Sequence, residues 1–320
     1  MSIISTDISK AITLLNNEEL VAIPTETVYG LAGNIYSEKA IKAIFKTKER
    51  PFFNPLIVHI PSINHLDTVA TDIPEKAMQL ANAFWPGSLT LVLKKKSNIP
   101  DLITAGKDTV AVRVPNHTLT LKLLESLDFP LAAPSANPFG SISPTTANHV
   151  ANYFKDSIKM VLDGGVCKNG IESTIVGFEN NQPVIYRLGS ISIEAIETVV
   201  GNVSIKNKKE INPDAPGMLE RHYAPSTQTI LTTNVLDEIK KHPNKRIGLL
   251  TFETFIESDV IEKQIVLSES GNLNEATANL YSALHTLDHE KLDVIIAERC
   301  PDFGLGKSIN DRLQRATFSK

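Results

Sequence analysis

Five short segments of this sequence gather the side chains that handle anions. PTETVYGL, Pro24 to Leu31, carries the hydroxyls of Thr25, Thr27 and Tyr29 beside Gly30, which permits a tight backbone path. In KTKERPFFNPLIVHI, Lys46, Lys48 and Arg50 alternate before Pro51, and Asn54 precedes a strand that ends near His59. Cations beside an amide at the mouth of a sheet suit a polyphosphate or a carboxylate, because arginine donates bidentately and lysine acts as a point charge. TVAVRVP sets Arg113 inside a run that reads as a buried strand. A buried guanidinium needs an anion, supplied either by a neighbouring Asp or Glu or by a bound carboxylate. PLAAPSANPFGSISPTT surrounds Ser135, Asn137 and Ser143 with small residues, so a ligand can approach backbone N–H groups that cradle anions. GIESTIV places Glu172, Ser173 and Thr174 at the start of a further strand. Each segment taken singly has a plainer reading: a strand-to-helix turn, a solvated helix end, a satisfied strand histidine at His59, a structural ion pair at Arg113.

Together the set is Lys, Arg, Asn, Ser and Thr, with neither a Ser-His-Asp triad nor paired catalytic carboxylates. Such a set serves a reaction whose nucleophile is already anionic and whose transition state is charged. Phosphoryl or nucleotidyl transfer fits, with positioning and charge neutralisation as the main effects and Mg²⁺ carried on the phosphates. A nucleophile elbow would need glycine two residues either side of serine, and Ser135 has Ala133 and Asn137. Gly306-Lys307-Ser308 resembles part of a phosphate loop, but Pro301 stands where that pattern requires glycine. No HExxH or CxxC spacing occurs, which argues against a protein-bound transition metal.

These residues need a mixed α/β scaffold. Helices are predicted at 6–17, 37–48 with Ser37 as N-cap, 74–84 and 118–127, and strands at 20–23, 56–60, 89–93, 110–114, 131–133, 160–163, 174–177 and 184–188. Beyond residue 230, strands at 246–251, 264–267 and 293–297 alternate with helices at 234–241, 274–287 and 308–315, a βαβ pattern with a parallel sheet. Between them, Pro213, Pro216 and Pro225 interrupt a polar stretch that gives a linker over 205–230, separating domains at 1–204 and 231–320. Arg221, His222 and Tyr223 within it suggest a working linker.

At 320 residues, 42% hydrophobic and 21% charged, the chain is an ordinary globular protein of about two domains. A net charge of −4 argues against a surface built throughout for nucleic acid. Cys167 and Cys300 cannot make a disulfide framework, and a reducing cytoplasm is the expected location. The amino terminus lacks the pattern of a signal peptide. The uncharged stretch from Phe129 to Phe154 holds Pro130, Pro134, Pro138 and Pro144 and reads as a polar loop, not a membrane span.

PTETVYGLAGN, KTKERPFFNPLIVHI, FWPGSLTLVL, VAVRVP, LAAPSANPFGSISPT and GIESTIV resemble, in order and spacing, the Sua5/YrdC family of threonylcarbamoyl-AMP synthases over about residues 5–200. APGMLERHYAP through GLGKSINDRLQRAT resembles the Sua5 domain of its longer members. The resemblance implies a YrdC-like twisted mixed sheet with flanking helices, plus a smaller α/β Sua5 domain with a mainly parallel sheet. It implies that L-threonine, bicarbonate and ATP become L-threonylcarbamoyladenylate and pyrophosphate, the first step of N6-threonylcarbamoyladenosine formation at tRNA position 37. Thr27, His59, Arg113, the backbone at Ala133 and Ser173 would hold threonine. Lys48, Arg50, Asn54, Thr109, Ser135, Ser143 and Arg187 would hold ATP, with His222 and Tyr223 closing over it. Lys48 and Arg50 would stabilise charge at the phosphates, and Mg²⁺ would ride on ATP. The product would pass to a downstream tRNA threonylcarbamoyl transferase, so direct tRNA binding is not required and no membrane is involved. Two other readings compete: a carbamoyl-adenylate-forming maturation enzyme, whose zinc-finger cysteines this chain lacks, and a double-stranded RNA-binding module.

Overall fold

The computed structural model describes residues 3–206 and 223–317. It forms two compact units. The first holds an eleven-stranded mixed sheet: β1 (Ile3–Ser5), β2 (Val21–Ile23), β3 (Gly30–Asn34), β4 (Ile57–His59), β5 (Leu89–Lys94), β6 (Thr109–Arg113), β7 (Leu131–Ala132), β8 (Met160–Leu162), β9 (Thr174–Glu179), β10 (Gln182–Arg187) and β11 (Ser204–Ile205). Their spatial order is 1-8-2-3-7-4-6-5-9-10-11. The helices are α1 (Ile8–Asn16), α2 (Glu38–Lys48), α3 (Glu75–Phe84), α4 (Asp101–Thr104), α5 (Thr118–Glu125), α6 (Ala147–Phe154) and α7 (Ile193–Val200).

Alternation along the strands decides which face each side chain meets. Val58, Leu91, Val112, Val176 and Ile185 point to one face, where Ile41, Ile44 and Phe45 of α2, Leu80 of α3 and Ile196 of α7 complete the main core. The intervening residues point the other way. Around β2, β7 and β8 that second face is packed by Ala11 and Leu15 of α1 and Leu123 and Leu124 of α5. Around β4, β6, β5, β9 and β10 the apolar cluster on the second face, Ile57, Val92, Ala111, Ile175, Val184 and Tyr186, contains strand residues only. The polar residues of the same register, Thr109, Arg113, His59 and Thr90, border this apolar floor.

Helix α2 shows how the sequence punctuates the fold. The Ser37 hydroxyl caps it by accepting from the Ala40 N–H, Glu38 lies in the first turn, and Lys46 and Lys48 in the last. It stops at Glu49 in the left-handed region (φ 53°), which turns Arg50 towards Pro51.

The described part of the second unit comprises 223–317 together with two loops from earlier in the chain, 140–143 and 169–171. Its sheet runs β12 (Thr229–Thr232), β15 (Val294–Glu298), β13 (Ile247–Thr251), β14 (Ile261–Val266), and every pairing is parallel. Helices α8 (Val235–Lys240), α9 (Leu273–His289) and α10 (Leu305–Ala316) connect and cover it. Within this unit Arg312 is fully buried, bonded to Asp311 at 2.7 Å with its guanidinium 5.0 Å from the Tyr223 ring centre.

Both sheets match the expected α/β architecture. Six α-helices and strands of the first unit, β1, β3, α4, α6, α7 and β11, fall outside the expected elements, and three of them have a clear physical reason. β3 lies in GLAGN, where glycines mimic a turn, yet a Cβ at Gly30 would meet that of Ala133 at 3.1 Å, so close sheet packing accounts for it. α6 lies in the stretch read as a loop, and Ala147, Val150 and Phe154 are buried at helical spacing. α7 begins at the Ser192 cap. The expected linker falls largely on 207–222, outside the described residues. No described helix is long and apolar enough to cross a membrane.

Candidate active site

The carboxyl ends of β4 and β6 meet the amino ends of β5 and β9 at one end of four interior strands of the first sheet. β4 and β6 are parallel with His59 paired to Arg113, while β5 is antiparallel to β6 and sets Leu89 against Thr174 of β9. Arg113 is 4% exposed and is held on three sides. Its Nε donates to the Gly87 carbonyl at 3.1 Å, its Nη1 to the Thr27 hydroxyl at 2.9 Å, and its Nη2 lies 2.6 Å from the Glu26 carboxylate. The last contact is ionic and not an aligned hydrogen bond, since Nη2 has no acceptor in bonding geometry among the described residues. Glu26 also accepts from the Ser88 hydroxyl and the Asn116 N–H, each at 3.0 Å. Burial alone would raise the Glu26 pKa, but the Arg113 charge and these bonds outweigh it and hold the carboxyl below its usual range.

The protein therefore supplies its own anion for Arg113. Glu26 was not singled out from the sequence, although it is the one acid in the otherwise neutral PTETVYGL turn. The turn is built by Thr25, whose hydroxyl accepts from the Thr27 N–H at 3.1 Å and lies 2.7 Å from the Val28 carbonyl, to which it donates.

His59 is buried beside this pair. Burial first, and the Arg113 charge second, push its pKa down to about 3, so the imidazole is neutral at physiological pH. A histidine that resists protonation only when folded makes the unfolded state bind more protons between pH 6.5 and 3, so stability falls on acidification. His59 is expected to add about 1.4 kcal/mol per pH unit to that loss between about pH 6 and 4.5, before Glu26 begins to contribute in the same direction. Chemical denaturation of the wild type and His59→Asn across this range checks it, with the variant showing the flatter profile.

A second group forms where α2 ends. The Lys48 Nζ, 1% exposed, donates to the carbonyls of Ser135 and Asn137, and the Lys48 carbonyl accepts from the Phe139 N–H at 2.7 Å. Burial and the nearby Arg50 charge hold the Lys48 pKa well below its usual value. Arg50 donates through Nε to the Asn54 carbonyl at 3.2 Å and through Nη2 to the Pro55 carbonyl at 2.8 Å. Asn54 is fully buried, and neither its Oδ1 nor its Nδ2 has a hydrogen-bond partner among the described residues. An unsatisfied buried amide costs about 1–3 kcal/mol, so this one marks a place where a ligand belongs.

A third group centres on Ser173. Its hydroxyl bonds that of Thr90 at 2.7 Å, and Arg187 donates to both its carbonyl and its hydroxyl, at 2.9 Å and 3.0 Å. The Ala133 N–H is taken by the Ile57 carbonyl at 3.0 Å. At the far end of β6, about 13 Å from Arg113 at ~3.3 Å per residue, Thr109 lines an open cleft of about 610 Å³ together with Val92, Asp108 and Tyr186. Ser143 and Tyr223 fold with the second unit: the Ser143 carbonyl accepts from His285 Nε2 at 3.2 Å, and Tyr223 is fully buried with φ 65°. His222 lies outside the described residues. Among the described residues no group of three or more His, Cys, Asp or Glu is placed to hold a metal ion.

Arginines and amides at the end of a mixed sheet, an apolar floor and a neutral histidine define an anion-activating α/β enzyme of the nucleotidyl-transfer kind. Comparison with known proteins gives it a lineage. The model of the Sua5, YciO and YrdC family, described as telomere recombination, matches residues 13–189, and that of the threonylcarbamoyl-AMP synthase C-terminal domain matches 191–317. The threonylcarbamoyl-AMP synthase of Pyrococcus abyssi is 42% identical over 313 residues, 93% of this chain and 90% of its own. That of Bacillus subtilis is 40% identical, over 97% and 92%. The crystal structure of P. abyssi Sua5 complexed with L-threonine superposes with a TM-score of 0.92 at 39% identity, covering 99% of this chain and 97% of that one. The chain belongs to the Sua5/YrdC family, in the form that carries the Sua5 carboxyl-terminal domain.

Proposed function

We propose that this enzyme condenses L-threonine, bicarbonate and ATP into L-threonylcarbamoyladenylate and pyrophosphate, and so feeds the formation of N6-threonylcarbamoyladenosine in tRNA. The observation that carries the reading is that Arg113 is fixed at the strand ends while the side-chain amide of Asn54 is buried without a hydrogen-bond partner among the described residues. The chain's similarity to a Sua5 solved with L-threonine supports threonine as the amino-acid substrate.

Threonine amine and bicarbonate give a carbamate with loss of water. The carbamate carboxylate then attacks the α-phosphorus of ATP, the bond to the β-phosphate oxygen breaks, and pyrophosphate leaves. The nucleophile is already anionic, so the attack on phosphorus requires no general base. Arg113, Thr27, His59, Ala133 and Ser173 hold threonine. Arg50, Asn54, Thr109, Ser135, Ser143 and Arg187 hold ATP, with Lys48 fixing the 135–137 loop and leaving its remaining N–H for a phosphate. The apolar floor of Ile57, Val92, Ala111 and Tyr186 offers the nucleoside a desolvated bed between Arg113 and Thr109. Mg²⁺ enters on the ATP phosphates, for which charge neutralisation is the required chemistry. Residues 1–204 form the catalytic domain in this reading, 205–230 a linker, and 231–320 the Sua5 domain. The product goes to a tRNA threonylcarbamoyl transferase in the cytoplasm.

Labelled bicarbonate tests the reading: with ATP, Mg²⁺ and threonine the label should enter a product that also carries AMP, and label confined to free carbamate would refute it. A further expectation concerns Asn54. Asn54→Leu should raise the unfolding free energy of the ligand-free protein by about 1 kcal/mol, since it removes an unsatisfied buried amide. It should weaken ATP binding by about 10- to 100-fold, the worth of a hydrogen bond to a charged group. Denaturation and calorimetry check the two signs.

A further inference from the structure

Glu26 has no place among the residues that the functional reading assigns, yet it is buried and engaged by three other residues. It is 6% exposed, 2.6 Å from Arg113 Nη2, and accepts hydrogen bonds from Ser88 Oγ and the Asn116 N–H. Its chain neighbour Thr27 takes Arg113 Nη1, so two consecutive residues grip the two terminal nitrogens of one guanidinium. Ser88 and Gly87, also consecutive, approach from the opposite side: one bonds Glu26, the other receives Arg113 Nε. A closed ring of contacts results, from the PTETVYGL turn to the start of β5, to the end of β6, and back.

We propose that Glu26 is a positioning residue for amino-acid recognition, setting the direction in which Arg113 presents its remaining N–H groups to a substrate carboxylate. The proposal rests on the threonine-binding reading above. Two of the five guanidinium N–H positions donate, to Gly87 and Thr27, while Nη2 lies 2.6 Å from Glu26 without an aligned hydrogen bond, which leaves one N–H on Nη1 and those on Nη2 for a substrate. Two parallel N–H groups on adjacent nitrogens are the fork that grips a carboxylate bidentately. Without the Glu26 carboxylate, Nη2 has no anion beside it and the guanidinium is free to turn about the Thr27 bond. Glu26 also balances the charge of Arg113 in the empty site, so the cation is held in place before substrate arrives. A purely structural ion pair would stabilise the fold and leave amino-acid selectivity untouched.

The test compares the full-length wild type, Glu26→Gln and Glu26→Asp by pyrophosphate release and by calorimetric binding of L-threonine and L-threoninamide, which lacks the carboxylate. Glu26→Gln keeps the size and the hydrogen bond from Ser88 but removes the charge. It is expected to raise the KM for threonine at least about tenfold while the KM for ATP stays within about twofold. The wild-type preference for threonine over threoninamide should narrow by a similar factor. Glu26→Asp, which keeps the charge but draws it back one methylene, should fall between them, and it decides the matter should Glu26→Gln not fold. An unchanged threonine KM, or an unchanged preference between threonine and its amide, overturns the proposal. So does an equal rise in both KM values accompanied by lower thermal stability. Wild-type protein that binds ATP but neither threonine nor its amide would overturn the functional reading itself, and the role of Glu26 with it.

Discussion

Arg113→Met is expected to lower threonine-dependent pyrophosphate release by about 10³-fold or more. The substitution removes the cation that the proposal sets against the substrate carboxylate. A charge-assisted bidentate grip that acts in both the ground and the transition state cannot be replaced by solvent in so buried a site. The change also strands Glu26, 6% exposed, without its cation. Breaking a buried pair from one side costs about 3–5 kcal/mol, so the single variant confounds stability with activity. The double variant Arg113→Met/Glu26→Gln separates them. It leaves no uncompensated charge and should recover most of the stability in denaturant titrations while recovering none of the turnover. Turnover that returned together with stability would reduce Arg113 to a structural role.

Lys48→Met is expected to have the next largest effect, a fall of about 10²- to 10³-fold in turnover. The ammonium is bonded to the carbonyls of Ser135 and Asn137, and the backbone of the same residue holds the Phe139 N–H. Helix α2 thus fixes three points of the loop that the proposal places against the ATP phosphates. Methionine would remove the ammonium from both carbonyls, and the loop would lose two of its three ties to α2. Amide hydrogen exchange at Asn137 and Phe139 should quicken in Lys48→Met, and the KM for ATP should rise along with the fall in kcat. A fall in kcat alone, with exchange unchanged, would mean that Lys48 acts on the transferring phosphates and not on the loop.

The sequence discloses these groups unevenly, and the reasons are physical. Helix α2 is legible because its cap, its acidic first turn and the proline beyond its end are local signals that tertiary packing did not override. Arg113 is legible as a problem, since a cation in an apolar strand demands an anion, but its solution lies in a turn far earlier in the chain that only folding brings near. Glu26 looks like any loop acid until β6 and the PTETVYGL turn are juxtaposed. Asn54 is visible as an amide beside cations, whereas its lack of a partner among the described residues is a property of the packed interior. β3 and α6 escape detection because glycines and Ser/Pro/Thr runs, which normally mark turns, here serve close sheet packing and the approach to a helix. The apolar floor beneath the cleft is hidden in plain alternation: Ile57, Val92 and Ala111 read as core residues, and only the absence of helix residues from their cluster sets that face apart.

On the proposed function, the anion-gripping strand ends activate threonine as its carbamoyl adenylate. Pyrophosphate release, measured with ATP, Mg²⁺ and bicarbonate in the presence and absence of L-threonine, tests it most directly. Release should depend on threonine and should fall about 10³-fold or more in Arg113→Met. Release that proceeds equally without threonine, or none at all from protein that binds ATP, would contradict it.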